Sequence, residues 1–236
     1  MFDEPHTPTA LDQMARDKKI NRGKFLTPAH ADSYLLQMQA IEGLKDVSSI
    51  LEIGPGESYA AKNLRDVGYH YDTLDFEDAH GPTIKADFGS LDPASISRRY
   101  DLTCAFQVLE HFPYCDFTRH LETLGALSTR YVFISLPYSC KGFSLKLNFQ
   151  SGQWKRIIRQ LDFYIPTGLP NRKYREEYMQ EFPWAVHFWE IGRKGYSLKT
   201  VLHDIESCGL DVIRRFHSPN AFHYFILCRK RDAAKV

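Results

Sequence analysis

The sequence predicts an α/β fold: a doubly wound, mostly parallel sheet that ends in an antiparallel hairpin. Three observations support this prediction. Apolar β-rich runs alternate with segments of helical periodicity over residues 31–137. A glycine turn, Gly54-Pro55-Gly56, follows the first of these runs. The last two runs are separated only by the Ser218-Pro219-Asn220 turn, and so tight a turn joins antiparallel neighbours.

The first half of the alternation is a helix, a strand, a turn and a helix. Apolar residues at helical spacing over 31–44 predict a helix that leads into a first strand, Val47–Ile53. A second helix is expected after the glycine turn, with Gly68 as its carboxyl-terminal cap. Two more strands are then predicted, at His70–Asp75 and Thr83–Ala86.

The second half repeats the pattern. Asp92-Pro93 predicts the start of a helix, because Asp is a good N-cap and proline suits the first turn. Tyr100–Phe106 and Tyr131–Leu136 are predicted strands on either side of a helical stripe from Phe117 to Leu127. After residue 188 a helix capped by Ser197 and ended by Gly209 precedes the final strands, predicted at residues 210–216 and 222–228.

Two segments lie outside this rhythm. Residues 1–28 are polar and are interpreted as an arm, which leaves 29–236 as a single domain, consistent with 236 residues. Residues 138–188 are interpreted as an insertion that caps the site. Between Lys141 and Arg175 this insertion carries eight Lys or Arg residues against Asp162 alone. The excess favours recognition of an anionic small molecule; a membrane surface, RNA or a plain solvated cap helix are the alternatives.

Composition restricts the function classes. Lys and Arg number 30 against 29 Asp and Glu, a net charge of +1, so the chain as a whole gives no reason to expect nucleic acid. The five cysteines form no CxxC pair, so neither a disulfide framework nor a metal site is predicted. The amino terminus lacks the features of a signal peptide, and no window approaches about 18 apolar residues. We therefore expect a soluble, cytoplasmic protein without a transmembrane segment.

The glycine turn follows a strand and opens a helix, where glycines let a cofactor approach the backbone. A dinucleotide fingerprint needs a third glycine at position 59, where this chain has Tyr59. NAD is therefore disfavoured, although an oxidoreductase with a nucleotide cofactor remains an alternative.

Four motifs, taken together, resemble those of class I, Rossmann-like methyltransferases that depend on S-adenosylmethionine. The resemblance covers about residues 45–137, and more weakly 185–230, with Ser58 in place of the usual third glycine of the first motif. The fourth motif contains a V-L-E-H segment similar to that of the small-molecule branch. The four motifs are Glu52–Gly56, Asp75, Ala86–Phe88 and Gln107–Pro113.

The resemblance implies S-adenosyl-L-methionine as the cofactor. Asp75 stands about 20 residues beyond the turn at a strand end, where it can accept hydrogen bonds from both ribose hydroxyls. Asp87 can accept from the adenine amino group, with the Phe88 backbone and ring edge beside it. The expected cofactor-binding residues are Glu52, Gly54, Pro55, Gly56, Asp75, Asp87, Phe88 and Gln107.

Two histidines are the catalytic candidates. Holding the reactants in line lowers the activation barrier by roughly 7–11 kcal/mol in well-oriented systems. Methyl transfer therefore needs a base only to take a proton from the acceptor. His111 is chosen by its location after the fourth strand, and His187 by its place in the aromatic stretch 184–190. The structural alternatives are a backbone-bonded histidine at a helix start and plain aromatic packing.

The predicted function is methylation of oxygen or nitrogen in a small-molecule or glycan-like acceptor. A non-catalytic cofactor-binding interaction module is the other alternative, because this chemistry has no mandatory nucleophile. The acceptor, the methylated atom and the oligomeric state are left open.

Overall fold

The protein is described from a computed structural model, which describes residues 28–56, 59–78, 81–150, 158–170, 187–219 and 222–231. The predicted arm at 1–28 lies outside these residues apart from Pro28, which begins the first helix. Ser58, in the first motif, also lies outside them.

The described residues contain nine strands in two sheets. Seven strands make a central sheet in the order β3-β2-β1-β4-β5-β9-β8, in which β1 to β5 are parallel and β9 is antiparallel to both of its neighbours. This confirms the predicted fold class, including the antiparallel final pair. The strands are β1 (Ser49–Ile53), β2 (His70–Asp75), β3 (Ile84–Lys85), β4 (Tyr100–Phe106), β5 (Ser128–Pro137), β6 (Cys140–Gln150), β7 (Ile158–Pro170), β8 (Leu210–His217) and β9 (His223–Lys230).

The α-helices in the described part of the chain cover the central sheet: α1 (Pro28–Glu42), α2 (Tyr59–Asp66), α3 (Phe117–Leu127) and α4 (Leu198–Ser207). Apolar side chains of α1 and α2 pack with one face of the sheet, and those of α3 and α4 pack with the other. Because both faces are covered, β1 is buried at every position, as its apolar run indicates. None of the described helices has the length and hydropathy needed to cross a bilayer.

One predicted helix is wrong. Asp92 caps a short turn by accepting the Ala94 N–H at 2.9 Å, but only a 3₁₀ turn, Pro93–Ser95, follows. The reason is length: β4 begins at Tyr100, and so few intervening residues cannot form both a stable helix and its connection to the strand.

The described part of the insertion contains two long antiparallel strands and not the solvated helix that was the structural alternative, and its role as a cap stays a prediction. Strands β6 and β7 pair with each other, with Phe143 opposite Ile165. Phe143, Leu145 and Leu147 alternate along β6 and are exposed. An apolar residue at every second position is typical of a strand. The charged and aromatic composition of this segment obscured that pattern.

His120 is a histidine in a fully apolar position of the core. Its ring lies against Phe88 (centroids 5.0 Å apart) and Phe112 (4.4 Å). The side chain is completely buried, and neither ring nitrogen has a hydrogen-bond partner within the described part of the chain. Burial lowers the pKa of His120 to about 4.

We expect the His120→Phe variant to be more stable than the wild type by about 1–3 kcal/mol at pH 7.5, because it keeps the ring contacts and removes an unpaired N–H. The pKa is lowered on folding from about 6.5, so the unfolded state binds more protons between pH 6.5 and 4. The stability of the wild type must therefore fall as the pH drops through that window.

Urea unfolding of both proteins at pH 7.5 and pH 5 measures these two effects. His223, whose pKa burial also lowers to about 4, is present in both proteins and gives a common acid sensitivity. Equal losses of stability on acidification in the two proteins would show that His120 is not the group that titrates.

Candidate active site

The turn after β1 lies directly against the segment that follows β4. The Gly54 N–H donates to the Leu74 carbonyl at 2.8 Å, and Gly54 has a φ of +61°. A Cβ added to Gly54 would lie 2.9 Å from Cγ2 of Val108. Only glycine therefore fits at position 54, because the backbone has a positive φ and Val108 leaves no space for a side chain. The two segments face each other at the carboxyl edge of the sheet.

Gly56 stands at the open side of the same turn. Its φ is +53°, and a Cβ added there would meet no atom of the described residues within 4 Å. Gly56 and the neighbouring Pro55 are both half-buried. The backbone of the turn thus borders open space, into which a side chain at position 56 would project.

Glu52 lies inside the fold. Its carboxylate, 4% exposed, accepts a hydrogen bond from the Tyr71 hydroxyl at 3.0 Å on the side of the sheet that α1 and α2 cover. Burial and the Glu52 charge together raise the pKa of Tyr71. In this position Glu52 ties β1 to β2 beneath the turn, and direct contact with a cofactor stays a prediction.

Asp75 closes β2 next to the glycine turn. It follows Leu74, whose carbonyl holds Gly54, and its own carbonyl accepts the Ala86 N–H at 3.0 Å. Oδ1 accepts the Glu77 N–H at 3.0 Å, and Oδ2 has no donor within the described residues. The carboxylate is therefore fixed through one oxygen at the end of the strand.

Asp87 and Phe88 follow β3. The exposed Asp87 carboxylate accepts from the Gly89 N–H and the Ser90 hydroxyl, each at 2.9 Å, and so it caps a short turn. The Phe88 ring is buried against His120. The predicted contacts of both residues with adenine stay predictions.

Gln107 has a strained backbone at the end of β4. Its φ of +56° is the only positive value at a non-glycine residue in the described part of the chain. Its amide lies between Ser135 Oγ and Glu110 Oε1, each at 3.2 Å, and the orientation that pairs both ends accepts from Ser135 and donates to Glu110. Such strain costs about 1–3 kcal/mol and is concentrated at functional sites.

Glu110, His111 and His187 form a cluster at this edge. The Phe188 N–H donates to the Glu110 carbonyl at 2.8 Å, which brings the segment with His187 beside the V-L-E-H segment. The rings of His111 and His187 have centroids 5.1 Å apart. One potential ligand atom of each of the three side chains lies within 4.8 Å of the others. The two predicted histidines are thus neighbours.

Glu110 is the site residue that sequence reasoning missed, although its position before His111 was a visible signal. It is fully buried, and burial together with the Glu190 charge raises its pKa to about 8. Its Oε2 atom has no hydrogen-bond partner within the described part of the chain.

Glu190 orients His187. Its Oε1 lies 3.0 Å from His187 Nδ1, and its Oε2 accepts from Arg193 Nε at 3.1 Å. Burial opposes ionisation of Glu190, but the hydrogen bonds from His187 and Ser139 and the charge of Arg193 outweigh it. The pKa of Glu190 is therefore below its usual value.

A comparison with protein families identifies the family of the chain. Residues 26–213 match the model of a family described as a methyltransferase domain. The chain belongs to this methyltransferase family. The match spans most of the 236 residues and confirms the predicted resemblance, and with it the prediction of an enzyme. The small-molecule branch indicated by V-L-E-H stays a prediction.

Solved structures confirm the fold of this methyltransferase domain. The N-methyltransferase NodS from Bradyrhizobium japonicum, in complex with S-adenosylhomocysteine, has a TM-score of 0.60 at 9% identity, covering 95% of this chain and all of that one. The 1,6-didemethyltoxoflavin-N1-methyltransferase from Burkholderia thailandensis, with 1,6-didemethyltoxoflavin and S-adenosylhomocysteine, has a TM-score of 0.54 at 14% identity, covering 98% and 94%. The magnesium protoporphyrin IX methyltransferase from Synechocystis, with S-adenosylhomocysteine, has a TM-score of 0.54 at 10% identity, covering 92% and 94%. A search of curated protein sequences gives no match.

Proposed function

We propose that this methyltransferase domain transfers a methyl group from S-adenosylmethionine to an oxygen or nitrogen atom of a small-molecule or glycan-like acceptor. One observation carries the proposal: the glycine turn after β1 meets the V-L-E-H segment after β4, with Gly54 against Val108. Strand order reverses between β1 and β4, and open α/β sheets bind ligands at that point.

The residues of the crevice fit this donor. It has no phosphate, so the turn needs no third glycine and Tyr59 is no obstacle. Open space above Gly56 gives room for a ligand against the backbone. Asp75 Oδ2 is an acceptor without a donor among the described residues, which suits a ribose diol. The structures with the same fold from Bradyrhizobium and Burkholderia hold S-adenosylhomocysteine, the demethylated form of the donor.

When bound, S-adenosylmethionine supplies a methyl group on a sulfonium, a good leaving group. The chain must then hold the acceptor in line with that methyl group and remove a proton from it. His111 and His187 are half-buried at the crevice edge, where an acceptor would lie. Because Glu190 holds Nδ1, the His187 ring has a fixed orientation beside His111, from which it can act on the acceptor.

Titration calorimetry with S-adenosylmethionine, S-adenosylhomocysteine and NAD tests the proposal. We expect the first two ligands to bind with micromolar to millimolar affinity, about −8 to −4 kcal/mol, and NAD to give no heat. Binding of NAD alone would instead support an oxidoreductase. Binding of both methyl-donor ligands without turnover of any acceptor would support a cofactor-binding interaction module.

We further propose that the acceptor carries an anionic group, recognised by the basic capping insertion, and that the protein acts in the cytoplasm. Both statements rest on the sequence. For the anionic acceptor this is so because Lys155 and Arg156 lie outside the described residues. Arg159 falls in β7, opposite Phe149.

Replacing Lys155, Arg156 and Arg159 with Gln should raise the acceptor KM by about 10-fold. Each charge-assisted hydrogen bond to the acceptor contributes about 1.5–3 kcal/mol, and water will take the place of part of the lost bonds. The donor Kd should stay near the wild-type value, since the insertion is expected to contact the acceptor only. Steady-state kinetics at low salt measures the first quantity, and calorimetry measures the second.

A control variant in which Lys45, Lys199 and Arg231 are changed to Gln removes the same charge from exposed positions elsewhere. Equal KM values in the two variants would contradict a specific role for the insertion. Loss of binding to RNA or to anionic vesicles in the first variant alone would point to a macromolecular partner.

A further inference from the structure

The cluster of Glu110, His111 and His187 has the composition and spacing of a metal-ion site. It offers one carboxylate and two imidazoles, with one potential ligand atom from each within 4.8 Å of the others. Ligand atoms about 2.1 Å from a tetrahedral zinc ion lie about 3.4 Å apart. Each side chain therefore needs to move by less than about 1 Å to coordinate a common ion.

The burial of Glu110 independently favours a cation at this cluster. The Glu110 side chain is completely buried, and its Oε2 atom has no hydrogen-bond donor within the described part of the chain. Its other oxygen accepts from Gln107 Nε2 at 3.2 Å. A buried carboxylate that lacks a compensating charge is costly. A bound divalent ion would provide that charge where the two histidines already converge.

The surrounding contacts are those of a second coordination sphere. Histidine ligands of metals usually have their second ring nitrogen bound to a carboxylate, as His187 Nδ1 is bound to Glu190. Arg193 holds the other oxygen of Glu190. The strained Gln107 holds the carboxylate of Glu110 in the same way.

We propose that Glu110, His111 and His187 bind a divalent transition-metal ion of the zinc class, and that the ion's open position receives a hydroxyl oxygen of the acceptor. Three protein ligands and an open position are typical of catalytic zinc. Two imidazoles disfavour magnesium, which prefers oxygen ligands. The acceptor part of this inference rests on the proposed methyl transfer, whereas the ion site itself does not.

The ion gives the site a way to activate an oxygen acceptor. Zinc lowers the pKa of bound water from 15.7 to about 7, and a bound hydroxyl is acidified in the same manner. The hydroxyl proton is released to solvent, and the oxygen forms a bond to the methyl carbon. The carbon–sulfur bond breaks with its electron pair left on sulfur. The metal thus selects oxygen over nitrogen as the methylated atom.

Calorimetric titration of the chelator-treated full chain with zinc chloride tests the site. We expect one zinc ion per chain in the wild type and an affinity at least 10-fold lower in His187→Ala and in His111→Ala. Magnesium chloride should bind more weakly than zinc. The control is His203→Ala, which removes an exposed histidine on α4 and should retain wild-type affinity.

The Glu190→Gln variant separates a metal site from a structural cluster. It keeps all three ligands but weakens the partner of His187, so zinc affinity should fall by about 10- to 100-fold. Circular dichroism establishes that each variant is folded. The proposal would be overturned if the wild type does not bind zinc. It would also be overturned if His111→Ala and His187→Ala both bind zinc with wild-type affinity.

A donor titration on the same metal-free protein keeps this inference apart from the proposed function. We expect S-adenosylmethionine to bind the metal-free wild type and the His187→Ala variant equally. If zinc binds as expected but the donor does not, the methyltransferase proposal fails and the metal site stands. Tighter binding of magnesium than of zinc would overturn the assignment of the ion class.

Discussion

A valine at position 56 should abolish detectable binding of S-adenosylmethionine and leave the protein folded. The Gly56 backbone borders open space, with no atom within 4 Å of an added Cβ, so the new side chain would occupy the place of the ligand. We expect the donor Kd to rise by about 100-fold or more, which corresponds to about 2.8 kcal/mol. Calorimetry with S-adenosylmethionine and S-adenosylhomocysteine measures the change.

The control for this variant is Gly209→Val. Gly209 also has a positive φ, +75°, and open space around an added Cβ, but it ends α4 away from the glycine turn. Both substitutions impose the left-handed strain of about 1–2 kcal/mol on folding. Only Gly56→Val should impair donor binding. Wild-type affinity in a folded Gly56→Val protein would remove the turn from the cofactor site.

The sequence predicts the central sheet well because each of its elements is locally encoded. β1 and β4 are mostly apolar and largely buried, and the turn between β1 and α2 has positive φ at Gly54 and Gly56. The hairpin β6–β7 was missed because its period-2 pattern lies among charged and aromatic residues that suggested a binding surface.

The site was predicted only in part because its geometry depends on contacts between distant segments. The Gly54 contact with Val108 could be expected from topology alone, since β1 and β4 are neighbours. The meeting of His187 with Glu110 could not, because it depends on a hydrogen bond from Phe188 to the Glu110 carbonyl after a long insertion. Local periodicity carries no information about such a contact.

The segment after β4 serves two neighbouring sites. Val108 packs against Gly54. Glu110 belongs to the cluster with the two histidines, and Gln107 contacts Glu110. The strained backbone at Gln107 comes directly before Val108 and three residues before Glu110. A change in this segment is therefore expected to affect donor and acceptor together, whereas a change in the glycine turn should affect the donor alone.

Asp75→Ala should weaken binding of S-adenosylmethionine by about 10- to 100-fold. A carboxylate that accepts from both hydroxyls of a ribose makes charge-assisted hydrogen bonds, which contribute about 1.5–3 kcal/mol, and a 10-fold change in affinity is about 1.4 kcal/mol. Asp75 is placed for this role at the end of β2, where Leu74 binds the glycine turn and Oδ1 is held by Glu77.

Asp72→Ala is the matched control, because it removes a carboxylate from the same strand. Asp72 accepts from the Tyr100 hydroxyl at 2.8 Å and pairs with His70, so its loss should lower the free energy of unfolding without changing donor affinity. Asp75→Ala should do the opposite, with a small effect on urea unfolding and a large one on calorimetric Kd. Equal donor affinity in the Asp75→Ala variant and the wild type would mean that the end of β2 does not reach the ribose. The methyl donor would then have to be held by the glycine turn and the segment after β4 alone.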